Sequence, residues 1–469
     1  MHLDRRNLLV TGAVAVAFAG FARSALSQGP GAQTYVNEVT GYGDLIPDPN
    51  GLIDLPAGFT YRVIAQSGDT MDDGLFAPGY PDGMGCFALG GSQVALVINH
   101  ELRGGRSLHR NMGPGGLNLE RIGLLDPSRA YDTYRDGRPL PGGTSTLIYD
   151  LATGQSVSRH LSLAGTSTNC AGGHTPWGSW LTCEETVETP ADADVSREHG
   201  YVFEVPAAAT GLVDPVPLKA MGRFRHEAVC IDPRTGVAYL TEDTGDSLIY
   251  RFLPAVPGEL ARGGRLQALA FRDHAGVNTA NHGDRVWSPG DWREVRWIDL
   301  DDVESPDDDL RLRGHAAGAA RVARGEGIFW GDGELYLTAT SGGPARRGQI
   351  LRYVPSPHEG HADENREPGR VQLFVESDDA RTLSMGDNLV VAPWGHLIVC
   401  EDNGAEEDLN HLKGVTPQGL VYTLGRNAFT GNAEFAGAVF SPDGGTLFVN
   451  IMAPGMTLAI TGLWSSVRT

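Results

Sequence analysis

The stretch 225–243, "RHEAVCIDPRTGVAYLTED", decides the fold. It reads as a strand, a tight turn at Pro-Arg-Thr-Gly (233–236) and a returning strand. Glu227 opens it, and Glu242 with Asp243 closes it. What lies between reads as sheet core, so charge at both ends needs an explanation.

Five further stretches have the same form: "DGMGCFALGGSQVALVINHE" (82–101), "CAGGHTPWGSWLTCEE" (170–185), "RGEGIFWGDGELYLTATSGG" (324–343), "GDNLVVAPWGHLIVCEDN" (386–403) and "EFAGAVFSPDGGTLFVNI" (434–451). After the first five units comes another strand with an aromatic residue: "TLIYD", "YVFEV", "SLIYRF", "ILRYV" and "LVYTL". Irregular spacing between units means insertions, which fall at 103–142 and 265–323; the second carries a helix at "HAAGAARVAR" (315–324). The expectation is an all-β chain, a six-bladed β-propeller with inserted loops and a short helix, with 28–469 as a single domain.

A propeller accounts for the acids. The first strand of each blade lies innermost and the second returns beside it, so the start of one and the end of the other share a face of the disc. Asp82, Cys170, Glu227, Glu326, Asp387 and Glu434 arrive there from strand openings. Glu101, Glu184, Glu185, Glu242, Asp243, Glu401 and Asp402 arrive from strand ends. So many carboxylates at one mouth repel unless a cation sits among them. One acid near a turn is ordinarily solvated; a ring at equivalent positions reads as a metal site. Calcium suits the oxygen donors, and the thiol of Cys170, in a glycine turn, suits a transition metal. His100 and His226 are weaker candidates, and no H-E-x-x-H or paired C-x-x-C occurs. Arg324, two residues before Glu326, would place an anion clamp beside the metals. No G-x-S-x-G motif is present.

Composition narrows the partners. The net charge of −21 argues against nucleic acid and anionic membranes. Lysine occurs only at 219 and 413, so an anion site would use arginine, whose fork suits phosphate. Residues 1–27 read as a signal peptide: Arg5 and Arg6 precede the apolar run 8–22, as in twin-arginine export, with Sec export the alternative. No later stretch is long and apolar enough to span a bilayer. The five cysteines leave at least one outside any disulfide.

"NCAGGHTPWGSWLTCEE", "RFRHEA", "YLTEDTGDSLIYRF", "RVARGEG" and "FAGAVFSPDGGTLFVNIMAPG", with the Arg-Arg leader, resemble the PhoX-type bacterial alkaline phosphatases over almost the whole mature chain. The resemblance implies a six-bladed propeller and an exported, periplasmic or secreted phosphatase with ferric iron (Fe3+) and calcium (Ca2+) in the channel. By motif, Cys170 resembles the iron-binding cysteine, and Glu227, Glu242 and Glu326 resemble metal-binding carboxylates. Glu184, Glu185, Asp387 and Glu434 fall in matching motifs, and Arg324 resembles a phosphate-binding arginine. The chain is shorter than the long forms, and its fifth unit ends in "CEDN" where they differ. The expected function is hydrolysis of small phosphate esters by a monomer. The alternatives are a calcium-dependent propeller lactonase and a calcium-stabilised propeller that only binds a partner.

Overall fold

The computed structural model describes residues 34–469, except 117–118, 405–408 and 432. The proposed signal peptide, 1–27, lies outside the described residues. Val36–Thr469 forms one compact unit.

Each quoted unit is an antiparallel hairpin. The inner strands are Pro81–Gly90, Asn169–His174, His226–Ile231, Gly325–Trp330, Gly386–Val391 and Phe435–Phe440. Their partners are Gln93–His100, Ser179–Glu184, Ala238–Glu242, Leu335–Ala339, Leu397–Glu401 and Thr446–Ile451. Each inner strand packs against the next, and the sixth packs against the first, so the ring closes around an axis. This is the propeller expected from the repeats. The turn of 225–243 shows how the sequence folds locally. The Asp232 carboxylate accepts from the Arg234 amide, and Gly236, at φ +74°, donates its amide to the Asp232 carbonyl. A left-handed residue suits glycine there.

Outer strands complete the blades unevenly. The second blade has three strands, ending at Val202–Pro206. Trp292–Asp299 pairs with both Gly264–Phe271 and Arg370–Glu376, which joins the third and fourth blades into one nine-stranded sheet. Thr60–Gln66, which precedes the first blade in sequence, pairs with Met456–Thr461 of the sixth. Apolar side chains interdigitate between blades, as where Val439 and Phe448 meet Met84, Leu96 and Ile98. Those dry contacts hold the ring, and the polar residues collect at its mouth.

Two expectations shift. The segment "LVYTL" belongs to the fourth strand of the fifth blade, Val421–Asn427; the third is His411–Val415. The helix also runs earlier than 315–324, over Leu310–Ala316. Gly318, at φ +106°, ends it while the Ala319 amide reaches back to the Gly314 carbonyl. Beyond it, the amides of Ala320, Arg321 and Val322 bond to the carbonyls of Leu269, Val277 and Ser247. Those long-range bonds hold this Ala/Val run extended.

Candidate metal centre

Repetition places the ligands. The second residue of the inner strand is Asp82, Cys170, Glu227, Glu326 or Asp387 in the first five blades and Ala436 in the sixth. In the first five blades the register breaks at this position, and in the sixth it breaks one residue later, after Ala436. Such bulges re-aim a side chain, here at the same place in the five blades whose second residue is an acid or Cys170. The residue following the second strand is Glu101, Glu185, Asp243, Thr340, Asp402 or Met452. In all six blades its amide donates to the carbonyl of the residue preceding the inner strand, at 2.9–3.3 Å. That preceding residue is left-handed at Tyr80, Thr168, Arg324 and Met385, and in the sixth blade it is Glu434. Small residues next in line let the strands converge: a Cβ on Gly83 would lie 2.6 Å from the Ala171 Cα, and one on Gly327 2.7 Å from the Asp387 carbonyl oxygen.

Three groups of ligand atoms result, each drawn together to within 4.8 Å: Cys170, Glu185 and Glu227; Glu227, Glu326 and Asp387; and Asp82, Glu101 and Glu434. Glu227 belongs to two of them. Burial raises the pKa of all seven carboxyls, and for most of them mutual repulsion adds to it. Glu101 is pushed up to about 7, and Glu185 and Asp387 to about 8. Asp82, Glu227, Glu326 and Glu434 lie well above the carboxylate range. Burial, then Glu227 and Glu185, also raises the Cys170 thiol; its Sγ lies 3.3 Å from the His226 carbonyl oxygen. All five cysteines are free, so no disulfide claims Cys170. Asp82 Oδ1 is buried without a hydrogen-bond partner. A buried thiol, crowded acids and an orphaned carboxylate oxygen form a donor set suited to cations.

Arg324 stands beside these groups. Its guanidinium binds Asp243 with both arms (2.8 and 2.9 Å) and Glu326 at 2.6 Å. Its φ of +57° departs from the strand geometry, and two main-chain bonds, to Thr244 and from Thr340, hold it there.

Glu184 and Glu242, both expected as ligands, are not in these groups. Each is the last residue of its strand, next to the mouth-facing Glu185 or Asp243, and alternation turns it the other way. Glu184 accepts from the amides of Ser167 and Gly200 and from the His199 ring (2.7 Å). Burial disfavours a charged His199, but Glu184 and Asp132 outweigh it and hold the ring up to about 9. Glu242 accepts from Tyr250 Oη (2.8 Å) and the Leu248 amide, with Arg311 3.8 Å from its other oxygen. Glu401 repeats the pattern: like Glu184, it accepts the amide of the residue 17 positions before it, Ser384. His100 and His226 also turn away, to Ser145 and the Gly79 carbonyl and to the Gly222 carbonyl. Asp82 and Glu101, expected at the mouth but matched to no ligand of the resembled family, join the ligand groups. Their repeat positions match those of Glu227 and Glu185, and that is the signal that finds them.

A β-propeller with such a centre where its inner strands meet has the donor set of a metal-binding protein. The chain belongs to the alkaline phosphatase PhoX family, whose sequence profile matches residues 40–455. Among solved structures it is similar to Pseudomonas fluorescens PhoX in complex with vanadate, a transition state analogue, at 20% identity and a TM-score of 0.65, over 92% of this chain and 97% of that one. The gluconolactonase XC5397 of Xanthomonas campestris aligns at 13% identity and a TM-score of 0.40, over 90% of this chain and 98% of that one. A luciferin-regenerating enzyme aligns at 10% identity and a TM-score of 0.42, over 88% and 97%. No curated protein matches the sequence.

Proposed function

We propose that this phosphatase hydrolyses phosphate monoesters at the axial centre, with ferric iron held by Cys170, Glu185, Glu227, Glu326 and Asp387, and calcium by Asp82, Glu101 and Glu434. The observation that carries the assignment is the sharing of Glu227 between a thiol-bearing group and an all-carboxylate group. Thiolate favours a transition metal in the first group, shared Glu227 carries that assignment to the second, and the separate oxygen-only third group suits calcium. Bound there, the ions would supply positive charge to the phosphoryl oxygens and lower the pKa of the attacking water. The protein's own contribution is placement. Cys170 and the acids, aimed by the bulges, lie in a buried mouth where charge is poorly screened. Arg324, once ligands are drawn toward cations, offers its fork to phosphoryl oxygens. Glu184 and Glu242 brace the loops that carry their neighbours Glu185 and Asp243.

Vanadate, bound by the Pseudomonas fluorescens protein, is expected to inhibit this one. Hydrolysis of p-nitrophenyl phosphate tests the reading. A chelator should abolish it, and iron with calcium should restore it. Full activity after exhaustive chelation refutes the metal assignment.

Export is part of the same proposal. No helix among the described residues is long and apolar enough to cross a membrane. The Arg5–Arg6 leader supports a periplasmic or secreted enzyme that folds around its metals before crossing. Replacing both arginines by lysine should strand the precursor in the cytoplasm; normal secretion would point to the Sec route.

A further inference from the structure

A second arginine stands on the loop that leaves the same mouth, and unlike Arg324 it is held by no carboxylate among the described residues. Arg103 follows the first hairpin, two residues after Glu101. Its flanks are fixed: the Leu102 carbonyl accepts from the Thr168 amide (3.1 Å), and the Gly104 amide donates to Ser167 Oγ (3.2 Å). The Arg103 amide donates to His109 Nδ1 at 2.9 Å, and Tyr134 Oη and Arg110 Nε both donate to the Gly104 carbonyl. The loop is thereby clamped to residues 167–168, which lead directly into Cys170.

Arg103 is half-buried, and among the described residues no Asp or Glu oxygen lies within 4 Å of its guanidinium. It lies near enough to Glu101 and Glu185, on neighbouring blades, for its charge to act on both. Arg324 stands elsewhere on the ring, before the fourth inner strand. A chain of net charge −21 that keeps an unpaired arginine on a braced loop beside its acids has a place ready for an anion.

We propose that Arg103 is a specificity-determining residue that binds a second anionic group, carboxylate or phosphate, on the leaving group of the ester. The inference rests on the phosphatase reading above. It implies a substrate class of phosphate monoesters that carry another anion a few bonds from the scissile oxygen. A planar fork matches either oxyanion bidentately.

The test compares two esters that differ in one group, 3-phosphoglycerate and glycerol 3-phosphate, with Arg103→Ala and Arg103→Gln. Wild type should prefer the carboxylate-bearing ester in kcat/KM. Both variants should lose that preference by about 10- to 100-fold, the value of a charge-assisted contact, mainly through KM. Rising salt should erode the wild-type preference and not that of the variants. Equal losses on both esters would mean that Arg103 serves the reacting phosphoryl group or the metals, and would overturn the inference. A preference that persists in the variants, or is absent from wild type, overturns it as well. If wild type hydrolyses neither these esters nor p-nitrophenyl phosphate, the phosphatase reading itself fails.

Discussion

Glu227→Gln should have opposite effects in the metal-free and metal-loaded protein. Glu227 is fully buried and shared between two ligand groups, with neighbouring carboxylates at up to 4.8 Å. At that distance, and at an effective dielectric constant of about 20, each charged pair repels by about 3.5 kcal/mol. Near neutral pH the raised Glu227 holds its proton to escape such repulsion, and an uncharged side chain saves a cost of the same order. Glutamine is isosteric, uncharged and able to donate to the acids around it. The metal-free variant should therefore gain about 3 kcal/mol. For the unit Val36–Thr469, an unfolding entropy of about 0.9 kcal/mol/K makes that a rise of about 3 °C in Tm. Loaded with metal, the same variant loses a ligand from two groups. Its iron content should fall, and p-nitrophenyl phosphate hydrolysis should drop by at least about 100-fold. Calorimetry of chelated and loaded protein, with elemental analysis, reads both arms. A chelated variant that melts below chelated wild type, with a loaded variant that keeps its metals, would show Glu227 to be an ordinary structural carboxylate, and the reasoning would fail.

Three further outcomes follow from the same geometry. Arg324→Ala should retain its metals yet lose about 10²-fold or more in kcat/KM for an aryl phosphate, as expected on removing a charge clamp; wild-type rates would assign Arg324 only to its ion pairs. Cys170→Ser should lose iron and, with it, the visible ferric–thiolate absorption expected of the wild type. A colourless, fully active wild type would exclude that bond. Chelated protein should lose stability as pH rises between about 4 and 8, because the folded form keeps Glu101, Glu185 and Asp387 protonated to about 7–8 while their ordinary values are 4.5, 4.5 and 3.8. Metal loading should reverse that slope, since binding needs the deprotonated acids; a chelated Tm that climbs over this range contradicts the assigned shifts.

Much of this architecture is legible in the sequence because a hairpin repeated around a ring leaves the same mark six times. Apolar strand, turn and apolar strand recur, and charge appears only where strands start or stop. The phase at the strand end is not legible in the same way. In Glu184–Glu185 and Glu242–Asp243 both residues are acidic, and only one of each pair can face the axis. Which one does depends on the bulge in the neighbouring inner strand and on who claims the other. Glu184 is claimed by an amide and a histidine distant in sequence, and Glu242 by Tyr250. The displaced helix has a similar cause. Locally, 319–323 reads as helical, but Leu269, Val277 and Ser247 take its amides from across the fold. Arg103 is not legible in the sequence, because its importance lies in what does not pair with it, and unpaired charge has no sequence pattern.

The central claim is that the acids and thiol on the axis exist to hold the metals of a phosphatase. Elemental analysis of the purified wild-type protein, normalised to its p-nitrophenyl phosphate activity through stepwise chelation, tests it most directly. The account predicts iron and calcium together in stoichiometric amounts, with activity falling in proportion as they are withdrawn. Calcium without iron, or undiminished hydrolysis by metal-free protein, would contradict it.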